Sequence, residues 1–184
     1  MREDVKKLWP ELELIKDDEL REKTAACWEY ALDNSVLSAE DLEKIPFSLL
    51  IDNYDIKFMQ HKRAAVRLSI ALAQEMQKSF GNELDINFDY LISGAILIDV
   101  GKLLEYEKDE NGKLTTSKNG KLVRHPISGV AIAERFGLPW EVQHIIATHS
   151  KEGDIGKRTV ESLIVHHADF VSFEPFQDSK RLKI

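Results

Sequence analysis

The sequence predicts an all-α fold, a helical bundle with a small β-hairpin or tight turns in residues 104–122. Apolar residues recur at the three- and four-residue spacing of amphipathic helices through most of the 184-residue chain. Capping residues stand where the predicted helices begin, and glycine or proline stands where most of them end. Two Asn-Gly pairs between polar, partly β-favouring residues indicate the hairpin or turns. The 43% hydrophobic and 31% charged composition fits one ordinary domain, 1–184.

Two helices are predicted in the first fifty residues. The first runs from Asp17 to about Asn34, and Asp17 or Asp18 is its N-cap. Its apolar stripe contains Leu20, Thr24, Cys27, Trp28, Ala31 and Leu32. Ser38 begins a second, short helix, because Ser38 and Asp41 have the spacing of a capping box.

The longest predicted helix spans Lys57 to Phe80, with Gly81 as its C-cap. The residues predicted to face inward are Ala65, Leu68, Leu72 and Met76. The next helix begins at Asn87 or Asp89, carries the apolar run GAILID and ends near Gly101. Because this run is apolar, we expect the end of the helix to lie inside the protein.

Three helices are predicted after the hairpin region. One begins at His125, with Pro126 in its first turn, and ends at Gly137. Another begins at Pro139, and the last runs from Thr159 to about Phe173. Helices therefore account for most of the predicted structure.

Composition argues against several classes of partner. The formal net charge of −7 disfavours a nucleic-acid duplex or an anionic membrane. Cys27 is the only cysteine, so neither an intrachain disulfide nor a thiolate zinc cluster can form. The charged start MREDVKKLWPELEL lacks the apolar core of a signal peptide, and no stretch approaches the ~20 apolar residues of a membrane span. We therefore expect a cytoplasmic protein.

Five polar residues interrupt the apolar helical stretches. They are His61, Asp99, His125, His149 and Asp169. A buried carboxylate such as Asp99 is costly unless it is paired, hydrogen-bonded or bound to a metal. One such residue alone is ordinarily a hydrogen-bonded core or surface group, but five on successive helices indicate a metal site, because bundles hold metals with facing imidazoles and carboxylates. Without a thiolate, the set suits a divalent transition metal: Fe, Mn, Co, Ni or Zn.

Short motifs around these residues follow one another in a definite order. In chain order they are His61, Asp99-Val100-Gly101-Lys102, HPISG at His125, IIATHS at His149 and Asp169. This order resembles the HD-domain superfamily of metal-dependent phosphohydrolases, over about residues 58–173. The resemblance implies an all-helical, metal-binding core, 57–175, with an N-terminal helical extension, 1–56, packed on it.

The resemblance also implies the metal ligands. One ion would take His61, Asp99 and Asp169. A second ion, as in the dinuclear members, would take His125 and His149, with Asp99 bridging the two. The resemblance therefore predicts one or two ions per chain.

One position departs from the family pattern. Ile98 stands where the family has the histidine of its His-Asp pair, which removes a ligand from the first set. Three protein ligands can still hold a metal, though more weakly. His166, three positions before Asp169 and on roughly the same helical face, is the candidate replacement. The alternative is that His166 orients a ligand by hydrogen bonding.

The chemistry that the resemblance implies is hydrolysis of a small, nucleotide-like phosphomonoester or phosphodiester. A bound divalent metal lowers the pKa of its water to roughly 7. Asp99 is the predicted catalytic carboxylate, which would position that water and take its proton. Lys102 is predicted to take part in catalysis and to neutralise the substrate phosphate, and Arg124 is a second predicted substrate-binding residue. The ordinary alternative for Lys102 is a lysine that complements a helix dipole.

Two other functions stay open. A few members of the superfamily are di-iron oxygenases, which need two irons. A degenerate HD domain that binds a ligand or partner without turnover is the other, and Ile98 is the main evidence for it. The N-terminal extension could cover the pocket, pack as a cap or form a homodimer interface.

Overall fold

Helices form nearly all of the regular structure of the protein, for which a computed structural model describes residues 1–49, 51 and 54–177. In chain order the helices are α1 (Glu3–Leu8), α2 (Asp18–Asp33), α3 (Ala39–Leu42), α4 (Phe58–Phe80), α5 (Phe88–Leu97), α6 (Lys102–Glu105), α7 (Lys118–Leu122), α8 (His125–Arg135), α9 (Trp140–Thr148) and α10 (Val160–Phe173). Short 3-10 turns lie at Pro10–Leu14, Gly81–Glu83, Lys151–Gly153 and Glu174–Phe176. The all-α prediction is therefore confirmed.

Side-chain caps begin several helices where the sequence predicts them. Asp17 accepts a hydrogen bond of 3.0 Å from a first-turn amide of α2, and Ser38 forms the capping box of α3 with Asp41. Of the two candidates at the start of α5, Asn87 is the N-cap. Asp89 instead accepts hydrogen bonds from two backbone amides that precede α2. Its carboxylate therefore ties the start of α5 to the start of α2.

The hairpin prediction holds for one of the two Asn-Gly pairs. β1 (Tyr106–Lys108) pairs antiparallel with β2 (Leu114–Thr116), and the connecting turn places Gly112 at φ +76°. The second pair, Asn119-Gly120, lies in the short helix α7 rather than in a turn. Ser117 caps this helix, and a Cβ on Gly120 would lie within 2.6 Å of a backbone oxygen of α6. The second glycine therefore serves a close approach between α6 and α7.

The inward face of α4 differs from the predicted one. Leu68 and Leu72 are 37% and 39% exposed, so their prediction as core residues is wrong. The buried face is rotated by about one position and includes Lys62, Ala65, Val66, Ser69 and Ala73. Both α10 and α5 pack against α4, and small buried residues such as Ser69 and Ala73 allow helices to approach closely. The rotation also turns a lysine toward the interior.

Residues 1–49 pack on the same core as the later part of the chain that the structure describes. The indole of Trp28 lies 5.1 Å from that of Trp9, and its Nε1 donates a hydrogen bond of 3.1 Å to the carbonyl of Ile96 on α5. One continuous apolar cluster contains residues from both sides of Lys57. Within the described ranges, no helix is both long enough and apolar enough to cross a membrane.

Candidate metal centre

The structure brings the five predicted metal ligands together inside the bundle. His61 lies on α4, Asp99 follows α5, His125 begins α8, His149 follows α9 and Asp169 lies on α10. The first four are buried, and the Asp169 side chain is 15% exposed. Five elements that are far apart in the chain therefore converge on one polar cluster in the apolar core.

A turn after α5 carries Asp99 into the cluster. The helix ends at Leu97, so the prediction that it continues to near Gly101 is wrong, and Asp99 lies in the turn that leads into α6. A Cβ on Gly101 would lie 2.3 Å from the carbonyl oxygen of His125, so only glycine allows this turn to touch the start of α8. The contact holds Asp99 beside His125.

Three acceptor atoms face one another in the half of the cluster that contains His125 and His149. Asp99 Oδ1 lies 3.2 Å from His125 Nε2 and 3.8 Å from His149 Nε2. The two Nε2 atoms are 3.3 Å apart. Asp99 Oδ1 is buried and accepts no hydrogen bond from any residue that the structure describes. This carboxylate oxygen is therefore left without a donor.

The contacts of the two imidazole rings determine which nitrogen carries the proton. His149 Nδ1 lies 2.7 Å from the carbonyl oxygen of Ile146, and His125 Nδ1 lies 3.3 Å from Oε1 of Glu105. A carbonyl and a carboxylate only accept, so both Nδ1 atoms are donors. In neutral rings, the two Nε2 atoms then present lone pairs toward Asp99 Oδ1.

Burial keeps both rings neutral. It lowers the pKa of His125 to about 3, although the Glu105 carboxylate opposes this shift. It lowers the pKa of His149 to about 4, although Asp169 acts in the opposite direction. At neutral pH the two nitrogens and Asp99 Oδ1 thus point lone pairs into one space, with all three atoms within 4.8 Å of one another. These donors fit a divalent transition metal.

A lysine lies in the other half of the cluster, which contains His61 and Asp169. The amino group of Lys62 contacts Asp99 Oδ2 directly and lies 3.5 Å from Asp169 Oδ1. Burial lowers the pKa of Lys62 to about 7, but contact with these two carboxylates favours its ammonium form. His61 Nε2 lies 3.4 Å from the same oxygen of Asp169. Although burial acts to raise it, the pKa of Asp169 lies well below its usual value because Lys62 and His61 stabilise the carboxylate. Asp169 is therefore ionised.

Lys62 was not among the predicted site residues. The sequence shows two adjacent basic residues after His61, and it does not show which of them faces inward. The structure turns Arg63 away, toward Glu43 and the carbonyl of Leu8. Only the rotation of α4 could have indicated that Lys62 lies in the cluster.

The other predicted residues lie at the edge of the cluster. Lys102 Nζ lies 3.1 Å from Asp99 Oδ2, and its side chain is 21% exposed. The Arg124 guanidinium is half exposed and lies 3.3 Å from Glu152. His166 Nδ1 lies 2.6 Å from the carbonyl oxygen of His149 and donates to it. These contacts place His166 against the backbone of a predicted ligand.

Glu105 is a second residue of the cluster that the sequence did not predict. Its Oε1 accepts a hydrogen bond from the His125 amide and lies next to Nδ1 of the same ring. Burial acts to raise the pKa of Glu105, but these contacts with His125 outweigh it and keep the pKa below its usual value. The only signal was a glutamate next to the apolar residues Leu104 and Tyr106, which is weak.

The substitution Glu105→Gln is expected to weaken metal binding about 10-fold, because the charge that orients and polarises His125 is lost while the shape is kept. Calorimetric titration with Mn²⁺ measures the change. Glu152→Gln is the matched control, since Glu152 pairs with Arg124 at the surface and should leave the affinity unchanged. Equal affinities for the two variants would contradict the role of Glu105.

Helical bundles commonly bind metal ions with histidines and aspartates that project from facing helices into the core. The buried cluster of this protein has that arrangement. The HD domain family matches residues 58–173. The chain therefore belongs to the HD domain family. It is similar to the dihydroneopterin 2',3'-cyclic phosphate phosphodiesterase of Methanocaldococcus jannaschii, with 27% identity over 166 residues. The match covers 85% of this chain, which spans 64% of that relative's length. No solved structure matches the chain.

Proposed function

We propose that this protein is a metal-dependent phosphohydrolase that cleaves a small phosphoester, with a cyclic phosphodiester as the first candidate. The observation that carries the proposal is the convergence of three atoms, Asp99 Oδ1, His125 Nε2 and His149 Nε2. None of the three carries a proton, so their lone pairs face one another. The activity of the archaeal relative supports a cyclic diester as substrate.

Asp99, His125 and His149 would hold the metal, which is Fe, Mn, Co, Ni or Zn by the nature of its donors. When bound, such an ion lowers the pKa of a water molecule and polarises a phosphoryl oxygen. Glu105 and the carbonyl of Ile146 hold the imidazole rings in the tautomer that offers Nε2. The chain thus supplies an orienting contact to each histidine of the set.

Two cations would receive the phosphate. Lys102 is partly exposed beside Asp99, so its ammonium can approach a phosphate from the solvent side. The half-exposed guanidinium of Arg124 pairs with Glu152 and lies 3.7 Å from Glu105, the carboxylate that contacts His125, so it too lies beside the proposed metal ligands. Asp99 would in addition accept a hydrogen bond from the attacking water and so direct it at phosphorus.

The test is hydrolysis of a panel of phosphomonoesters and diesters, including 2',3'-cyclic nucleotides, with each of the five metals added in turn. We expect metal-dependent cleavage of at least one cyclic diester, and His149→Ala should reduce it at least about 100-fold because a metal ligand is lost. The exposed His167 is the matched control, and His167→Ala should retain the activity. Absence of hydrolysis with every metal, or full activity in Asp99→Asn, would refute the proposal.

A binding domain without turnover is the second candidate. Ile98 favours it, because this fully buried side chain offers no ligand at the position of the family's histidine. The panel separates the two functions: a protein that binds a cyclic phosphate tightly by calorimetry but never cleaves it would support the second. The di-iron alternative would instead require oxygen consumption by the iron-loaded protein.

A further inference from the structure

The ammonium group of Lys62 lies between two carboxylates that the family resemblance assigns to one metal ion. Lys62 is only 2% exposed. It contacts Asp99 Oδ2 and lies 3.5 Å from Asp169 Oδ1, while His61 reaches the same oxygen of Asp169. The protein's own cation thus stands among the residues that would bind the first ion.

The charges in this half of the cluster already balance. Asp99 and Asp169 contribute two negative charges, and Lys62 and Lys102 contribute two positive charges in contact with them. A metal dication placed here would lie next to a buried ammonium group with no carboxylate left to compensate it. Repulsion between such charges is strong in a protein interior.

Ile98 is consistent with this arrangement. It is fully buried in the apolar cluster of the bundle, so the position before Asp99 contributes packing and no ligand. A site that lacks one ligand and contains a lysine has lost both the donor and the space for a metal.

The half of the cluster that contains His125 and His149 is different. Its three donor atoms have no ammonium or guanidinium group among the contacts described for them, and Asp99 Oδ1 accepts no hydrogen bond in the part of the chain that the structure describes. The two Nε2 atoms and this carboxylate oxygen lie within 4.8 Å of one another. This half therefore presents three converging donor atoms with no cation among the contacts described for them, whereas Asp99 Oδ2 in the other half already contacts an ammonium group.

We propose that Lys62, held between Asp99 and Asp169, takes the place of one of two cations, so that the chain binds a single metal ion, held by Asp99, His125 and His149. Lys62 is a positioning residue in this arrangement, because it orients Asp99 through Oδ2 and leaves Oδ1 for the metal. His61 and Asp169 support the lysine and do not bind a metal. The inference rests on the proposed metal-dependent function for its one ion.

The test is the metal content of the purified protein after equilibration with Mn²⁺ and removal of the excess. Elemental analysis should find one ion per chain, and electron paramagnetic resonance should show isolated Mn²⁺. The double variant Lys62→Met and Ile98→His removes the ammonium and restores the missing donor, so it should bind two ions with a spin-coupled spectrum. Lys102→Met is the matched control: it removes the other ammonium group at Asp99 and should still bind one ion.

Each outcome decides between the two proposals. Two spin-coupled ions in the unaltered protein would show that Lys62 leaves the carboxylates, and would overturn the inference while leaving the proposed function intact. No bound metal would overturn the proposed function and the inference with it. If the double variant fails to fold, the count and the spectrum of the unaltered protein still decide the question.

Discussion

Lys62→Met is expected to lower the free energy of unfolding of the metal-free protein by about 3 kcal/mol. Methionine keeps the length and most of the volume of the side chain, so the packing of α4 should change little. The substitution removes the ammonium group between Asp99 and Asp169, so the Asp169 carboxylate loses its contacting ammonium group and Asp99 keeps only the partly exposed Lys102. Urea denaturation in the presence of a chelator, monitored by circular dichroism, measures the decrease in the free energy of unfolding.

The matched control is Lys78→Met. Lys78 lies on the same helix but is 80% exposed and pairs loosely with Glu75 at 3.8 Å, so its loss should hardly change stability. Combining Lys62→Met with Asp99→Asn should cost less than the sum of the two single changes, because each removes the charge that the other leaves unpaired. Additive effects, or a stable Lys62→Met variant, would contradict the buried ion pair.

Gly101→Ala is expected to destabilise the protein by about 3 kcal/mol and to abolish metal binding. The added Cβ would lie 2.3 Å from the carbonyl oxygen of His125 and 2.8 Å from the amide nitrogen of Gly129. Both are backbone atoms of α8, which cannot move aside as a flexible side chain can. Relief of the clash requires α8 to shift, and that shift carries His125 away from Asp99.

Gly156→Ala is the control for this prediction. Gly156 has an ordinary negative φ, and a Cβ there would meet no atom within 4 Å, so alanine should be accepted without loss. Thermal denaturation and Mn²⁺ titration of both variants provide the comparison. Normal metal affinity in Gly101→Ala would show that the approach of α8 to the turn does not position His125.

The sequence alone was sufficient for the fold class and for most helix ends. Helical spacing and caps such as Asp17 and Ser38 are local properties, set within four residues of the position they act on, so they can be identified without coordinates. The second Asn-Gly pair shows the limit of local signals. The pair Asn119-Gly120 is typical of a turn, yet it lies in α7, a helix that Ser117 caps and that α6 approaches closely at Gly120.

The same distinction applies to the candidate site. Each predicted ligand could be recognised because a histidine or aspartate interrupts an apolar stretch, and the structure brings all five together. Lys62 and Glu105 could not be recognised, because their importance lies in partners far along the chain. Lys62 meets Asp99 across 37 positions and Asp169 across 107, and Glu105 meets His125 across 20.

The sequence by itself therefore determined the longer helices, the order of the His and Asp residues and the departure from the family pattern at Ile98, but not the short helices α1, α6 and α7. Only the tertiary structure decided which side of α4 faces the core, and hence that Lys62 rather than Leu68 or Leu72 points inward. The physical reason is that the rotation of a helix about its axis is set by the surfaces packed against it. Both α10 and α5 pack against α4, whose buried face contains the small residues Ser69 and Ala73 as well as Lys62, and this packing turns the lysine toward Asp99.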